Sequence, residues 1–576
     1  MSGMRLSGSK PGPSRRYPVS LKLGGTSVSI PRPLVRGLVL LLALGALYFV
    51  ASAGGKVDDQ WSATTESERG RTQEGWSRFD GLSRLFGAGS PQRQQVAQAP
   101  IGRDKNGQIK LSPRPNTFRL DRPLPSNRTN PYHPGHSRVI IPNTNPVEYE
   151  LRPLPSIEEA FAHLRPRMYD LKERFPEIPR EHDLNNPIHP PFLTPALMER
   201  YAHLGGEWDD KKKKWIEGGE KRYLFTTVCR QVTGMLADWF ATWTVVVDFL
   251  GPESCVFALM EGPSDDGAGE IIAAAMKEHL LFLGVPPENL FIQTHMPSID
   301  WDNSHRIQTL ADLRNAVMQP IYDSKYPGLS PDGKNWSAVL FYNDVYFGGR
   351  HFLEILHQHF FQDADMTCGW DHAGKWFYDG WVGRDMSGDL YTPFPVPKDQ
   401  QEDPQRLFIN HPATLERHSR VLPYQVFAGW NGMAVMNPVP FLPPYNVRFR
   451  RGVPRRPDQQ PGEEECQASE SSFISWDFWK YGFGRIAVVP GIHLTYGKDD
   501  SRVRGYVEYP LPDATHPEKI EWVDEPPRKV RCQDWPDKPG KGHWAWDGTR
   551  WTDPPPLIIL DPNGTVIASN RRGGDS

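Results

Sequence analysis

The run AVLFYNDVY, residues 338–346, ends an apolar stretch abruptly in Asn343 and Asp344. A short run dominated by β-branched and aromatic residues reads as a buried strand, and an acid at its end is delivered to the carboxyl edge of an α/β sheet, where open sheets bind ligands. A carboxylate there can hold a hard divalent cation such as Mg2+ or Mn2+, which takes oxygen ligands and often only one or two from the protein. Asp344 is the first candidate ligand and Asp371 the second, with the pair Asp363/Asp365 as the runner-up. The acidic loop EGPSDDGAGE, after the apolar run Cys255–Met260, offers Glu261, Ser264 and Asp266 as acceptors for the hydroxyls or base of a nucleotide; as ordinary turn and cap residues they can equally serve the loop itself. Arg306 and Arg314, eight residues apart in a helical pattern, can share one face and either meet a phosphate or stay solvated, and Asn343 is a further candidate for nucleotide contact. Glu470 and Asp477, later in the chain, are acids of the kind that takes a proton from a hydroxyl, a role open to Asp371 as well.

These residues need a frame. LFTTVCRQ from Tyr223 reads as a first strand, followed by a helix over 233–243 and two strand-like runs, Val245–Leu250 and Cys255–Met260. An Ala-rich helix over 271–283, the Arg306 helix and the Asp344 strand come next, then an amphipathic helix over 348–361. Its His357 and His359 are two residues apart and diverge on a helix, which argues for core or surface histidines and against a metal pair. DADMTCGWDH and WFYDGWVGRDMSGD lack clean periodicity and read as functional loops. PYQVFAGWNGMAVMNPVPF resumes as strand, turn, strand; the basic VRFRR follows, and ECQASESSFISWDFWKYGFGRIAVVPGIHLTY closes the core with a short helix and a strand over 486–489. Strands alternating with helices predict an α/β fold. WDDKKKKW and WAWDGTRW read as hairpins with aromatic anchors.

At 576 residues with 57 prolines, the chain fits one large domain with extended flanks better than several compact ones. A net charge of -3 supplies no basic footprint, which sets nucleic acid aside as a partner. Gly37 to Gly55 is uncharged and long enough to cross a bilayer. Seven basic and no acidic residues precede it, so the expectation is a type II membrane anchor with residues 1–36 cytosolic and the rest across the membrane. Residues 56–155 read as a flexible stem, 156–222 as a helical lead-in with a helix over 156–174, 223–497 as the catalytic domain and 498–576 as a Pro-rich extension. Five cysteines beyond the anchor allow disulfides and leave at least one unpaired; with no C-x-x-C, zinc is not expected. Sequons at Asn127, Asn335 and Asn563 are compatible with a secretory address.

The order strand-acid, helix, Arg-Asn helix, strand-acid is similar to the GT-A nucleotide-sugar glycosyltransferase fold, in which the second acid helps hold a metal on the donor diphosphate. Here Asn343-Asp344-Val345 stands where that fold usually has Asp-x-Asp. The runs FALMEGPSDDGAG, LADLRNAVMQP, VLFYNDVYF, DMTCGWDH, FYDGWVGRDMSGD, VFAGWNGMAV and ECQASESSFISWDFWKYGFGRIAVVP, in that order, resemble glycosyltransferase family 69, the fungal α-1,3-mannosyltransferases that include the capsule-associated ones. The resemblance implies GDP-mannose as donor, Mn2+ as metal, a glycan acceptor, an α-1,3 linkage made with retention and a Golgi type II membrane protein. Ala428-Gly429 stand where relatives tend to carry Ser-Cys, and Ser471-Ser472 where a Cys is common, which bears on disulfides more than on chemistry. The competing expectations are a non-catalytic polysaccharide-export factor and a lectin-like glycan binder.

Overall fold

The computed structural model describes residues 187–570, with gaps at 190–192, 210–213, 218–220, 323–329, 331–332, 334, 375, 393–405, 461–463 and 536–548, together with two strands nearer the amino terminus. The chain forms two compact units, Met1–Ser90 and Pro91–Ser576. The described part of the first is an antiparallel pair, Val19–Leu23 with Thr26–Ile30. The expected anchor (37–55), stem and helix over 156–174 lie outside the described residues, among which no helix is long and apolar enough to cross a membrane.

In the second unit nine of the described strands build one mixed sheet. Its members are β1 (Tyr223–Cys229), β2 (Cys255–Glu261), β3 (Leu290–Gln293), β4 (Ala338–Tyr342), β5 (Met366–Ala373), β6 (Trp376–Phe377), β7 (Tyr424–Gln425), β8 (Met433–Met436) and β9 (Ile486–Thr495). The order across the sheet is β7-β9-β5-β8-β4-β1-β2-β3, with β6 folded back on β5. β3, β2, β1 and β4 run parallel. β8 enters in reverse between β4 and β5, with Met433 opposite Tyr342 and Ala434 opposite Cys368. β5 therefore points the same way as β4, and β9 lies parallel to β5.

Alternation along the strands feeds two cores. Tyr223, Phe225, Leu340 and Tyr342 face one side, where α1 (Leu236–Leu250) and α3 (Gly349–Gln362) pack; Leu224, Val339 and Phe341 face the other, against α2 (Arg306–Val317) and α4 (Glu470–Lys480). A sheet covered on both faces has strands that read as unbroken apolar runs, as β2 and β4 do.

Three expectations change. Val245–Leu250 is the end of α1, fourteen of whose fifteen residues are buried. A helix apolar all round is indistinguishable by periodicity from a buried strand. It stops at Gly251, whose φ of 89° lets its amide reach the Val247 carbonyl (3.0 Å). DMTCGWDH is no loop but most of β5, a central strand holding only a few large apolar residues. The last strand extends from Ile486 to Thr495 because its register shifts between Val488 and His493, carrying the chain past Pro490-Gly491.

WDDKKKKW is a hairpin, with Trp208 opposite Trp215. Much of WAWDGTRW lies outside the described residues; Arg550–Thr552 pairs with Val530–Cys532. His357 bonds His203 (2.9 Å) and His359 bonds Thr367 (3.1 Å), a diverging buried pair as expected. Cys466 and Cys532 form a disulfide across 66 residues of sequence; Cys229, Cys255 and Cys368 are free and buried. Replacing both bridged cysteines by alanine is expected to lower unfolding free energy by about 2–4 kcal/mol, because closing a long loop restricts the unfolded chain. Urea unfolding of the double variant against wild type measures it, and an unchanged midpoint would show that the bridge adds nothing.

Candidate active site

Asn343 and Asp344 leave the carboxyl end of β4, and Asp371 sits near the carboxyl end of parallel β5. The reversed β8 starts between them, so its preceding turn, Trp430-Asn431-Gly432, fills the gap. Asn343 N–H donates to the Gly432 carbonyl (2.9 Å) and the Trp430 indole donates to Asn343 Oδ1 (3.0 Å). Gly432 has a φ of 77°, and a Cβ there would lie 3.1 Å from Asp371 Cβ. Gly432→Ala is therefore expected to cost about 1–3 kcal/mol through backbone strain and crowding against Asp371. Thermal melting of the variant against wild type checks it.

The Asp344 carboxylate has no bond to a side chain or to another residue's amide among the described residues; the following helix starts at Gly348, whose amide donates to His351 Nδ1 (3.0 Å). Capping is thus not the task of Asp344. Burial raises its pKa, with Arg314 pulling the other way. Asp371 is fully buried: Oδ2 accepts from the Tyr496 hydroxyl (3.0 Å), while Oδ1 has no hydrogen-bond partner among the described residues. Burial, and then the neighbouring Asp379 charge, push its pKa well up. Asp379 accepts the Asn431 amide on Oδ2 (2.9 Å), and burial raises it to about 6. Asp379 lies in WFYDGWVGRDMSGD, a segment read from the sequence as a functional loop, but neither it nor Tyr496 was singled out as a site residue. Asp379 reaches the site because β5 turns back through β6, and Tyr496 because β9 is longer than its apolar run.

Arg314, Arg306 and Glu470 meet this edge from the helices. The Arg314 guanidinium carbon lies 4.5 Å from the Trp430 ring centroid and 4.8 Å from that of Phe341; its Nε donates to Glu470 (3.0 Å), and Nη1 is buried without a partner among the described residues. Glu470, in the first turn of α4, also takes the hydroxyls of Ser469 (3.1 Å) and Ser471 (3.3 Å). Arg306 lies over Trp301, 5.3 Å from its centroid.

Other candidates are committed elsewhere. Glu261 accepts from the Ser264 hydroxyl and the His295 amide, Ser264 from the Gln231 amide (2.9 Å), and Asp266 from the amides of Thr233 (3.0 Å) and Ala268 (3.0 Å). These three residues brace the loops after β1 and β2. Both oxygens of Asp477 are taken by Arg450 (2.7 and 2.9 Å), which also grips Glu465, so Asp477 holds the VRFRR segment rather than facing the edge as a base. Asp363 pairs with Arg485 and Asp365 accepts the Arg485 amide (3.0 Å). They precede β5 and thus lie at the opposite edge of the sheet from Asp344, which removes them as an alternative metal pair.

Acids and an arginine converging on the carboxyl edge of a mixed sheet can bind a cation and a phosphorylated ligand and accept a proton. The oxygen donors of Asp344 and Asp371, one unbonded to neighbours and one with a bare buried oxygen, suit a hard divalent cation. Sequence comparison gives this geometry its context. A family profile described as Cryptococcal mannosyltransferase 1 matches residues 222–477, which contain every strand of the sheet but β9, both acid-bearing strands among them. An α-1,3-mannosyltransferase of Cryptococcus neoformans is 36% identical over 389 residues, 64% of this chain and 78% of that protein. Among solved structures, S. aureus TarS 1–349 superposes with a TM-score of 0.23 at 8% identity, covering 48% of this chain and 60% of that one. The same protein in complex with UDP gives 0.24 at 9%, covering 48% and 62%. These loose superpositions carry no argument, and the fold rests on the strand order. The class so defined is that of the glycosyltransferases. Within it, the chain belongs to the cryptococcal mannosyltransferase 1 family, the capsule-associated mannosyltransferases.

Proposed function

We propose that the protein transfers mannose from GDP-mannose, in α-1,3 linkage, to an oligosaccharide or polysaccharide, on a GT-A-type sheet with Mn2+ or Mg2+ held by Asp344 and Asp371. The observation carrying this reading is the pair of acids at one sheet edge: among the described residues, Asp344 has no neighbour bonded to it and Asp371 has a bare buried oxygen. A cation bound there would neutralise charge on the departing diphosphate. Tyr496 holds Asp371 in place through its hydroxyl. Arg314, fixed on Trp430 and Glu470, orients the donor's phosphates with its unpartnered Nη1. Asp379 Oδ1 has no hydrogen bond among the described residues and takes the proton of the acceptor hydroxyl; Glu470, with its oxygens engaged by Arg314 and two serines, is the weaker choice. An α-donor giving an α-product requires net retention.

The run from Gly37 to Gly55 and the charge asymmetry around it support a Golgi membrane protein of type II, with the catalytic unit in the lumen. The Cys466–Cys532 bridge is in keeping with an oxidising compartment. Full-length protein in detergent, given labelled GDP-mannose, Mn2+ and a mannose-terminated oligosaccharide, is expected to form an α-1,3-linked product and to lose that activity with EDTA. No transfer and no Mn2+-dependent GDP binding would replace this reading with the export-factor one.

A further inference from the structure

The hairpin of β5 and β6 carries two aromatic side chains that are partly exposed. β6 lies against β5 with Trp376 opposite Ala373 and Phe377 opposite His372. Phe377 turns inward and stacks on the buried Trp370 with centroids 4.1 Å apart. Its neighbours on either side face outward: Trp376 is 39% exposed and Tyr378 56%. A lone exposed aromatic is unremarkable on a protein surface, but two flanking an inward anchor make a shelf.

The shelf adjoins the acids. The Tyr378 ring rests on Tyr496, centroids 4.4 Å apart, and Tyr496 in turn bonds Asp371. The Tyr378 amide donates to the Asp371 carbonyl (3.1 Å), and Asp379 is the next residue along. The hairpin is anchored by hydrogen bonds: the Gly374 amide donates to Asp500 (3.0 Å), and Gly380 N–H to the Tyr378 carbonyl (2.9 Å).

Given a mannosyl-transfer site at this edge, we infer that Trp376 and Tyr378 are the acceptor shelf, on which a hexopyranose ring of the acceptor glycan stacks by its C–H face while its hydroxyl points to the acids. The inference rests on the proposed function. With the donor's phosphates assigned to Arg314 in the proposed function, the shelf is expected to govern acceptor and not donor affinity.

Full-length Trp376→Ala, Tyr378→Ala and Tyr378→Phe proteins, with α-1,3-linked mannotriose as probe, test it by calorimetric binding and by transfer kinetics. Each alanine variant is expected to weaken mannotriose binding and raise acceptor KM by about tenfold or more, the loss of one aromatic contact, leaving donor KM and kcat at saturating acceptor near wild type. Tyr378→Phe keeps the ring and should keep wild-type values. Unchanged mannotriose binding in both alanine variants, no mannotriose binding by the wild type, or a parallel rise in donor KM overturns the shelf. Binding that depends on both rings while the wild type transfers nothing upholds the shelf and overturns the enzymatic reading instead. Melting temperatures within about 2 °C of wild type, as expected for surface positions, exclude misfolding as the cause.

Discussion

Asp344→Asn is expected to lower mannosyl transfer about a thousandfold while leaving the melting temperature nearly unchanged. The first half follows from charge in the proposed mechanism: removing the carboxylate would deprive a cation of an anionic ligand where negative charge accumulates on the departing diphosphate, an effect worth several kcal/mol in a dry site. The second half follows from what Asp344 does not do. It neither caps α3, which starts at Gly348, nor bonds another residue among those described. Its pKa is raised by burial, so the folded protein holds the proton more tightly than the unfolded chain does. Such a group takes stability away as pH rises through its folded pKa, and an uncharged amide in its place costs nothing at neutral pH. Transfer rate and thermal melting, measured on one preparation with and without Mn2+, decide the matter. A variant that melts far below wild type would make Asp344 a structural residue and detach it from catalysis.

Arg314→Ala is expected to damage stability and transfer together. Glu470 is 2% exposed and bonded to the Arg314 Nε, so deleting the guanidinium leaves a buried carboxylate with two serine hydroxyls in place of a countercharge. Breaking a buried pair from one side typically costs about 3–5 kcal/mol, and contact with the Trp430 and Phe341 rings is lost as well. The double variant Arg314→Ala/Glu470→Gln should recover about 1–3 kcal/mol of stability without recovering transfer, since the two effects have different origins. Urea unfolding of the four proteins in this cycle gives the coupling energy. A cost below about 1 kcal/mol for Arg314→Ala would mean that water already screens the pair.

The sequence declares the parts of this protein whose logic is local. β2 and β4 are fully buried parallel strands and read as apolar runs ending in acid, so Glu261 and Asp344 could be located from pattern alone. Val245–Leu250 was illegible as helix because burial on every side erases the polar face that marks one. β5 hid for the opposite reason: Thr367, Cys368, Gly369 and Asp371 dilute its apolar signal, and its place in the sheet is set by pairing with β8 and β9, far away in sequence. Arg314 and Glu470 could be named as candidates, but their union bridges distant segments. Asp379 and Tyr496 owe their positions to a turn and a register shift, features that no residue count reveals.

The reversed strand β8 also bears on how the chain finds this arrangement. Met433–Met436 emerges from the ribosome after both of its partners, β4 and β5, and must slide between them. Until it does, two strand edges at the middle of the sheet stand open, and closing them requires long loops to come together, which is slow and exposes the nascent chain to wrong pairings. The carboxyl edge where Asn343, Gly432 and Asp371 meet can therefore be completed only after residues 433–436 are made, and substitutions at β8 are expected to show up first as poor yield rather than as a weakened final state.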